Sequence, residues 1–173
     1  MMANESAIAD GRAWWFFDAL VIVHAGYEET GGSVTFMETL SPGRPGDFSP
    51  LHVHREQEEG FRVVEGSLRV YIGADTIELR AGDFVLAPRA VPHTYEVTSE
   101  NTTHLSWVRG PFDKFLESVA VPAKELRAPS ADEIPSGIDP AELARKAEEV
   151  GVTILGPPGM LPTELPEFAT GRV

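Results

Sequence analysis

Cysteine is absent from this sequence of 173 residues. Its absence excludes disulfide bonds, thiolate nucleophiles and metal sites built on cysteine. Any metal that the chain binds must therefore take nitrogen and oxygen ligands. The chain has only five histidines to supply the nitrogen.

Basic residues are scarce: 14 lysines and arginines stand against 27 acidic residues, which gives a formal net charge of −13. A surface for nucleic acid needs lysine and arginine facing the phosphates, so this balance argues against nucleic-acid binding. An acidic protein that acts on a small molecule fits the composition better. At this length we expect one well-buried domain with appendages rather than two domains.

Long hydrophobic runs are missing as well. No stretch approaches the roughly eighteen apolar residues of a membrane span. The N-terminus has no basic region followed by an apolar core, and its first apolar cluster is interrupted by Asp18. The sequence also has no Walker loop, no Rossmann glycine run and no Gly-x-Ser-x-Gly elbow. We expect a cytoplasmic protein without membrane contact.

The sequence is instead rich in short strand-like runs. About nine of them lie between residues 19 and 108, with frequent Val, Ile, Thr and Phe and with turn residues between them. This pattern predicts an all-β fold, a double-stranded β-helix or jelly-roll barrel of two sheets. Such a barrel encloses a cavity in which an organic molecule could be held away from water.

The remaining segments divide around this barrel. We expect an N-terminal arm over 1–18, the barrel over 19–110, a helical segment over 111–151 and an irregular Pro/Gly-rich tail over 152–173. Apolar residues at helical spacing follow Pro111, and Asp139 with Pro140 is typical of a helix start. These helices should pack outside the barrel, and a lid over its mouth is the alternative.

Four large aromatic residues follow one another in the N-terminal arm, from Trp14 to Phe17. They cannot all enter one core from a single strand, because successive side chains point to opposite faces. One side must meet something else, either the outer face of the barrel or a second subunit. We expect a homodimer.

The stretch from Gly46 to Gly66 carries His52, His54 and Glu59. In an extended strand, residues i and i+2 project from the same face, so the two imidazoles can converge on one ion. Glu59 opens the next strand-like run, and its face carries the apolar residues that should point inward. Glu58 is the competing ligand.

A second stretch runs from Gly82 to His93, and with the first it resembles the two motifs of the cupin superfamily. The first motif, G-x5-H-x-H-x4-E-x6-G, is matched throughout by Gly46, His52, His54, Glu59 and Gly66. The second, G-x5-P-x-G-x2-H-x3-N, is matched at three positions: Gly82, Pro88 and His93. It departs at two, where Ala90 replaces the glycine and Val97 the asparagine.

The resemblance implies a metal site made of four side chains: His52, His54, Glu59 and His93. One divalent transition metal would bind there, and iron, manganese, nickel, cobalt, copper and zinc all suit these ligands. Glu59 is the candidate catalytic base as well as a ligand, because a carboxylate can loosen and accept a proton. The candidate substrate-binding walls are Met37, Phe61, Tyr95 and Trp107.

A single barrel followed by this C-terminal segment is similar to bacterial quercetinase-like cupins with one domain, the monocupins. This resemblance implies a metal-dependent dioxygenase that acts on a flavonol or another enol-bearing aromatic small molecule, with dioxygen as co-substrate. Two alternatives stay open: a metal-dependent isomerase, lyase or decarboxylase, and a cupin that binds a small molecule without catalysis.

Overall fold

The structure is a computed structural model that describes residues 6–44, 46–134 and 138–168. The ends of the expected arm and tail, 1–5 and 169–173, lie outside the described residues. The strands are β1 (Ala13–Phe16), β2 (Ala19–Ala25), β3 (Thr35–Ser41), β4 (Pro50–His54), β5 (Glu59–Glu65), β6 (Ser67–Ile72), β7 (Asp75–Arg80), β8 (Phe84–Ala87), β9 (His93–Val97), β10 (Thr102–Val108), β11 (Val121–Pro122) and β12 (Val152–Pro158). Two α-helices, α1 (Phe112–Val119) and α2 (Pro140–Glu149), and a short 3₁₀ helix (Pro162–Glu164) complete the fold.

The strands form two antiparallel sheets, as expected for a jelly-roll barrel. The larger sheet has the order β11-β1-β2-β3-β10-β5-β8, and the smaller one has the order β12-β4-β9-β6-β7. Nine strands, β2 to β10, lie between residues 19 and 108, which confirms the number that the sequence predicts. In the part of the chain that the structure describes, no helix is long and apolar enough to cross a membrane.

The barrel has an apolar core of its own, made by alternating side chains of both sheets. Its buried members are Phe61, Val63, Leu68, Val70, Ile72, Leu79, Ala87 and Val97. Val97 stands where the second motif usually has asparagine, and it is only 5% exposed within this core. Because apolar burial of this kind is the main favourable term in folding, the barrel does not depend on a metal for its core.

Within the aromatic row Trp14–Phe17, Trp15 is covered by the chain itself, and the other three residues are half-buried. Trp15 is 1% exposed and donates a hydrogen bond from Nε1 to the Arg127 carbonyl at 2.9 Å. Its neighbours Phe16 and Phe17 point the other way, into the cavity. The row therefore gives no argument for a second subunit, and the homodimer stays a prediction.

The two helices form where the sequence predicts them. The side chain of Asp139 caps α2 by accepting a hydrogen bond from the backbone amide of Ala141 at 3.0 Å. Phe115 of α1 and Leu143 of α2 pack together with Val152 in one buried cluster.

The first part of the expected irregular tail is a strand. β12 pairs with β4, with Ile154 opposite His52, and so becomes an edge of the smaller sheet. This pairing buries Val152. Pro157 and Pro158 fall at the end of the strand, where the backbone N–H that proline lacks is not needed for the sheet hydrogen bonds. β12 thereby fixes α2 beside the opening of the barrel.

Ala90 adopts the backbone conformation of the glycine that it replaces. Its φ is +61°, and its amide donates to the His54 carbonyl at 2.7 Å. A residue with a Cβ is destabilised by about 1–2 kcal/mol in the left-handed region. Glycine avoids this strain, but its larger conformational entropy in the unfolded state offsets part of the gain.

We therefore expect Ala90→Gly to raise the free energy of unfolding by about 0.5–1 kcal/mol, measured by urea denaturation. The control is Ala81→Gly at an exposed turn residue that is not among those with positive φ, where glycine should destabilise. Equal destabilisation in both variants would show that the backbone at Ala90 is unstrained.

Candidate metal centre

Four side chains from three strands meet at one point between the sheets. His52 and His54 come from β4, Glu59 is the first residue of β5, and His93 is the first residue of β9. His52 lies directly opposite His93 in the β4–β9 pair. One ligand atom from each of the four residues lies within 4.8 Å of the others, the spacing of a metal-binding group.

The Nδ1 atoms of the three histidines are held by oxygen acceptors. His52 Nδ1 lies 2.8 Å from the Pro50 carbonyl and His93 Nδ1 lies 2.9 Å from the Val91 carbonyl. His54 Nδ1 lies 3.3 Å from Gln57 Oε1, and Gln57 Nε2 donates to the Val150 carbonyl, which fixes the amide orientation. Because carbonyl oxygens only accept, each ring carries its proton on Nδ1 and presents a bare Nε2.

The three Nε2 atoms converge on a single carboxylate oxygen. Glu59 Oε2 lies 3.3 Å from Nε2 of His52 and 3.1 Å from Nε2 of both His54 and His93. Four lone-pair donors at such distances repel one another unless a cation or additional protons lie among them. The donor set therefore fits a divalent transition metal with three imidazole ligands and one carboxylate ligand.

The electrostatics of the cluster also favour an anionic carboxylate at Glu59. Burial alone would raise the pKa of Glu59, but its contacts with the three histidines hold that pKa well below the usual range. Burial, together with the neighbouring His93, lowers the pKa of the His52 imidazole to about 4. Burial, the largest single cause, acts in the same direction on His54, but the hydrogen bond and charge of Glu59 and the hydrogen bond with Gln57 together outweigh it and raise the pKa of His54.

Glu58 faces away from the cluster. Its carboxylate lies 3.7 Å from Arg109 and 4.0 Å from Arg89, on the outer side of the barrel. The alternation of side chains along the strand sends Glu59 inward instead, where it is 6% exposed. The structure thus brings together the four ligands that the sequence predicts and leaves the competing carboxylate outside.

A cavity opens from the metal centre towards α1 and α2. Its lining includes His52 and Glu59, and three of the four predicted substrate-binding residues also line it: Met37, Phe61 and Tyr95. The cavity has a volume of about 110 Å³ and opens to solvent at its mouth. Most of the wall is apolar, which is typical of sites that bind small organic molecules.

Trp107, the fourth predicted wall residue, lies on the other face of β10 and does not line this cavity. Its ring stacks on Phe84 with centroids 4.9 Å apart, and a side chain at Gly60 would collide with it. The inward face of β10 instead carries His104 and Ser106. The pattern of the sequence favoured the opposite face because Leu105 and Trp107 are the apolar residues of this strand.

Sequence reasoning missed several residues that line the cavity: Phe16, Phe17, Asp47, His104, Phe112 and Leu143. His104 lies outside the two sequence motifs, so the motifs do not single it out. The available signal was its alternation with Thr102 and Ser106, which places three polar side chains on one face of a strand. A polar face on a central strand is unusual unless it borders a cavity.

The imidazole of His104 should make the stability of the protein depend on pH. Burial lowers its pKa to about 4, whereas the unfolded chain has the usual value near 6.5. Between these values the unfolded chain binds a proton that the folded chain does not, so acid favours unfolding. His104 alone should therefore remove about 3 kcal/mol from the free energy of unfolding as the pH falls from about 7 to about 4.

Urea denaturation of the wild type and of His104→Phe over this pH range measures the effect. We expect the wild type to lose about 3 kcal/mol more than the variant. Parallel losses in the two proteins would show that His104 keeps an ordinary pKa in the fold.

The sequence motifs, the barrel and the ligand cluster agree with a match to a protein family. Residues 40–109 match the family model described as the cupin domain. These residues form a cupin domain. Over 98 residues, 57% of its length, the chain is 32% identical to quercetin 2,3-dioxygenase from Bacillus subtilis. It spans 28% of the length of that relative.

Solved structures similar to this cupin include KdgF from Halomonas sp., with 15% identity and a TM-score of 0.48 over 55% of this chain and 83% of that one. A predicted oxalate decarboxylase from Thermotoga maritima has 17% identity and a TM-score of 0.49 over 53% and 79% of the two chains. At these values neither likeness bears on the chemistry of this chain.

Proposed function

We propose that this cupin binds one divalent transition metal through His52, His54, Glu59 and His93 and acts as a dioxygenase on a flavonol or another enol-bearing aromatic. The observation that carries the proposal is the convergence of the three histidine Nε2 atoms on Glu59 Oε2 at the wall of an apolar cavity. The 32% sequence identity with quercetin 2,3-dioxygenase from Bacillus subtilis supports this class of reaction.

The metal would supply Lewis-acid and redox chemistry to the oxygen atoms of a bound substrate. Glu59 would provide the base. Its three histidine contacts all use Oε2, so Oε1 is the oxygen that takes the proton of an enol hydroxyl. Nearby, Phe61 lies with its ring edge-on to His93, centroids 6.3 Å apart, and supplies a face on which an aromatic substrate can pack.

The walls of the cavity would keep water from the reacting atoms. Phe112 of α1 lies 6.4 Å from the His54 ring, measured between centroids, and packs against the Phe115 ring at a tilt of 47°. Leu116 and Leu143 extend this apolar surface from the two helices. Exclusion of water strengthens the electrostatic interactions of Glu59 with a bound enol and protects reactive species from hydrolysis.

Oxygen consumption by the metal-loaded protein tests the proposal. We expect uptake of oxygen that requires both the bound metal and a flavonol. Turnover without oxygen, or exchange of protons into the substrate, would contradict it and indicate an isomerase, lyase or decarboxylase. Metal binding without turnover of any compound in a panel of flavonols and diketones would indicate a cupin that only binds its ligand.

A further inference from the structure

Two residues that line the cavity each have a buried polar atom without a hydrogen-bond partner within the described residues. These atoms are Nδ1 of His104 and Oδ2 of Asp47. Both residues line the cavity that contains the metal centre, and His104 is 1% exposed. An unpaired buried polar group is costly, so a pair of them in one cavity points to a ligand that completes their hydrogen bonds.

His104 lies one aromatic ring away from the metal centre. The Phe61 ring is 6.3 Å from the His93 ring on one side and 6.2 Å from the His104 ring on the other, measured between centroids. Tyr95 packs edge-on against both Phe61 and His104 at 5.7 and 5.1 Å. A molecule that packs along Phe61 can therefore reach the metal centre with one end and His104 with the other.

The position of His104 in the sheet is fixed by its neighbours. It sits in the central strand β10, paired with Thr39 of β3 and with Val63 of β5, at a break in the β10–β5 register. None of these neighbours brings a polar group to Nδ1. The sheet thus holds the imidazole in place and leaves its Nδ1 without a hydrogen bond. This is the arrangement of a preorganised binding group.

We propose that His104 is a substrate-binding residue that forms a hydrogen bond with a hydroxyl group at the far end of the aromatic molecule bound at the metal centre. Asp47, which also lines this cavity, supplies a second acceptor. The substrate is then an aromatic molecule with a pair of oxygen atoms that faces the metal centre. It carries a further hydroxyl group about one ring away from that pair. The choice of aromatic ligand rests on the proposed function.

Anaerobic binding of two flavonols to the protein as purified tests this inference, because without oxygen the ligand is not consumed. One flavonol carries a hydroxyl on its pendant phenyl ring and the other lacks it. We expect the wild type to bind the hydroxylated flavonol about 10-fold more tightly, as one hydrogen bond allows. His104→Phe should reduce this ratio to about one, and His104→Leu, with a smaller side chain, should do the same.

Two further variants separate recognition from structure. His104→Gln retains a side-chain donor and acceptor and should keep part of the preference. His24→Phe is the matched control, because His24 lies in the same sheet, outside the cavity lining, with its Nε2 paired to Glu38 at 2.7 Å. It should keep the full preference.

The outcomes distinguish this inference from the proposed function. A preference that survives in both His104→Phe and His104→Leu overturns it, and so does a wild type that binds both flavonols equally or neither. Equal binding would mean that an ordered water satisfies Nδ1. If the preference depends on His104 but aerobic protein consumes no oxygen, the binding role stands and the dioxygenase proposal fails.

Discussion

Replacing His93 by alanine should lower the affinity of the protein for a divalent transition metal by more than about 100-fold. Loss of a partner that only supports a metal ligand already costs 10–100-fold, and this change removes a ligand itself. The metal content of the purified variant, after dialysis against a weak chelator, measures the effect by elemental analysis. The barrel should remain folded, because its apolar core lies in the two sheets rather than around the ion.

His52→Ala provides the second arm of this experiment. His93 is 1% exposed, so its truncation also opens a void in the interior, whereas the His52 side chain keeps 12% exposure and its truncation disturbs the packing less. Both variants should lose the metal. The control is His24→Ala, since His24 pairs with Glu38 and lies outside the four-residue cluster. Undiminished metal in both His52→Ala and His93→Ala would refute the assignment.

Glu59→Gln should abolish oxygen uptake more severely than it lowers the metal content. Glutamine keeps an oxygen that can face the metal, but it cannot take a proton from the substrate. Removal of a general base costs about 10²–10⁴-fold in rate, whereas a four-ligand site that keeps its three imidazoles should retain part of its metal. Oxygen consumption divided by bound metal, for wild type and variant, isolates the contribution of the carboxylate.

Glu58→Gln is the control for this prediction. It makes the same chemical change one residue away, at a carboxylate that faces Arg89 and Arg109 outside the cavity. Its oxygen uptake per metal should equal that of the wild type. If Glu59→Gln loses activity and metal in equal proportion, Glu59 is a ligand only, and the base must be sought elsewhere in the cavity.

Three of the four candidate metal ligands were predictable because their geometry is local. His52 and His54 share a strand face through the two-residue period, and Glu59 begins the next strand after a short connection. His93 comes from a distant stretch, and only the resemblance of its motif placed it with the others. The structure adds the contacts of the three Nδ1 atoms, which depend on backbone carbonyls and on Gln57 and therefore leave no mark in the sequence.

The far end of the cavity was not predictable in the same way. The sequence pattern gave the correct alternation along β10 but not the face that points inward, because the apolar face with Leu105 and Trp107 lies outside against Phe84. Phe17 enters the cavity through a turn in which its own φ is +52°. A phenylalanine in the sequence does not predict this backbone conformation. Long-range packing decides both features.

The role of the helices also depends on tertiary packing. Phe112 and Leu143 bring α1 and α2 to the cavity, and β12 anchors them by pairing with β4, the strand that carries two metal ligands. Movement of the helices as a lid stays a prediction. The arrangement does connect the C-terminal segment to the metal centre through Gln57, which lies between His54 and the Val150 carbonyl.

Anomalous diffraction from a crystal of the protein loaded with one divalent transition metal tests the account most directly. We expect a single anomalous peak about 2.0–2.3 Å from Nε2 of His52, His54 and His93 and from a carboxylate oxygen of Glu59. The Nδ1 atoms should keep their carbonyl contacts in that structure. A metal bound at any other place, or four side chains that stay in contact without one at saturating metal, would contradict the account.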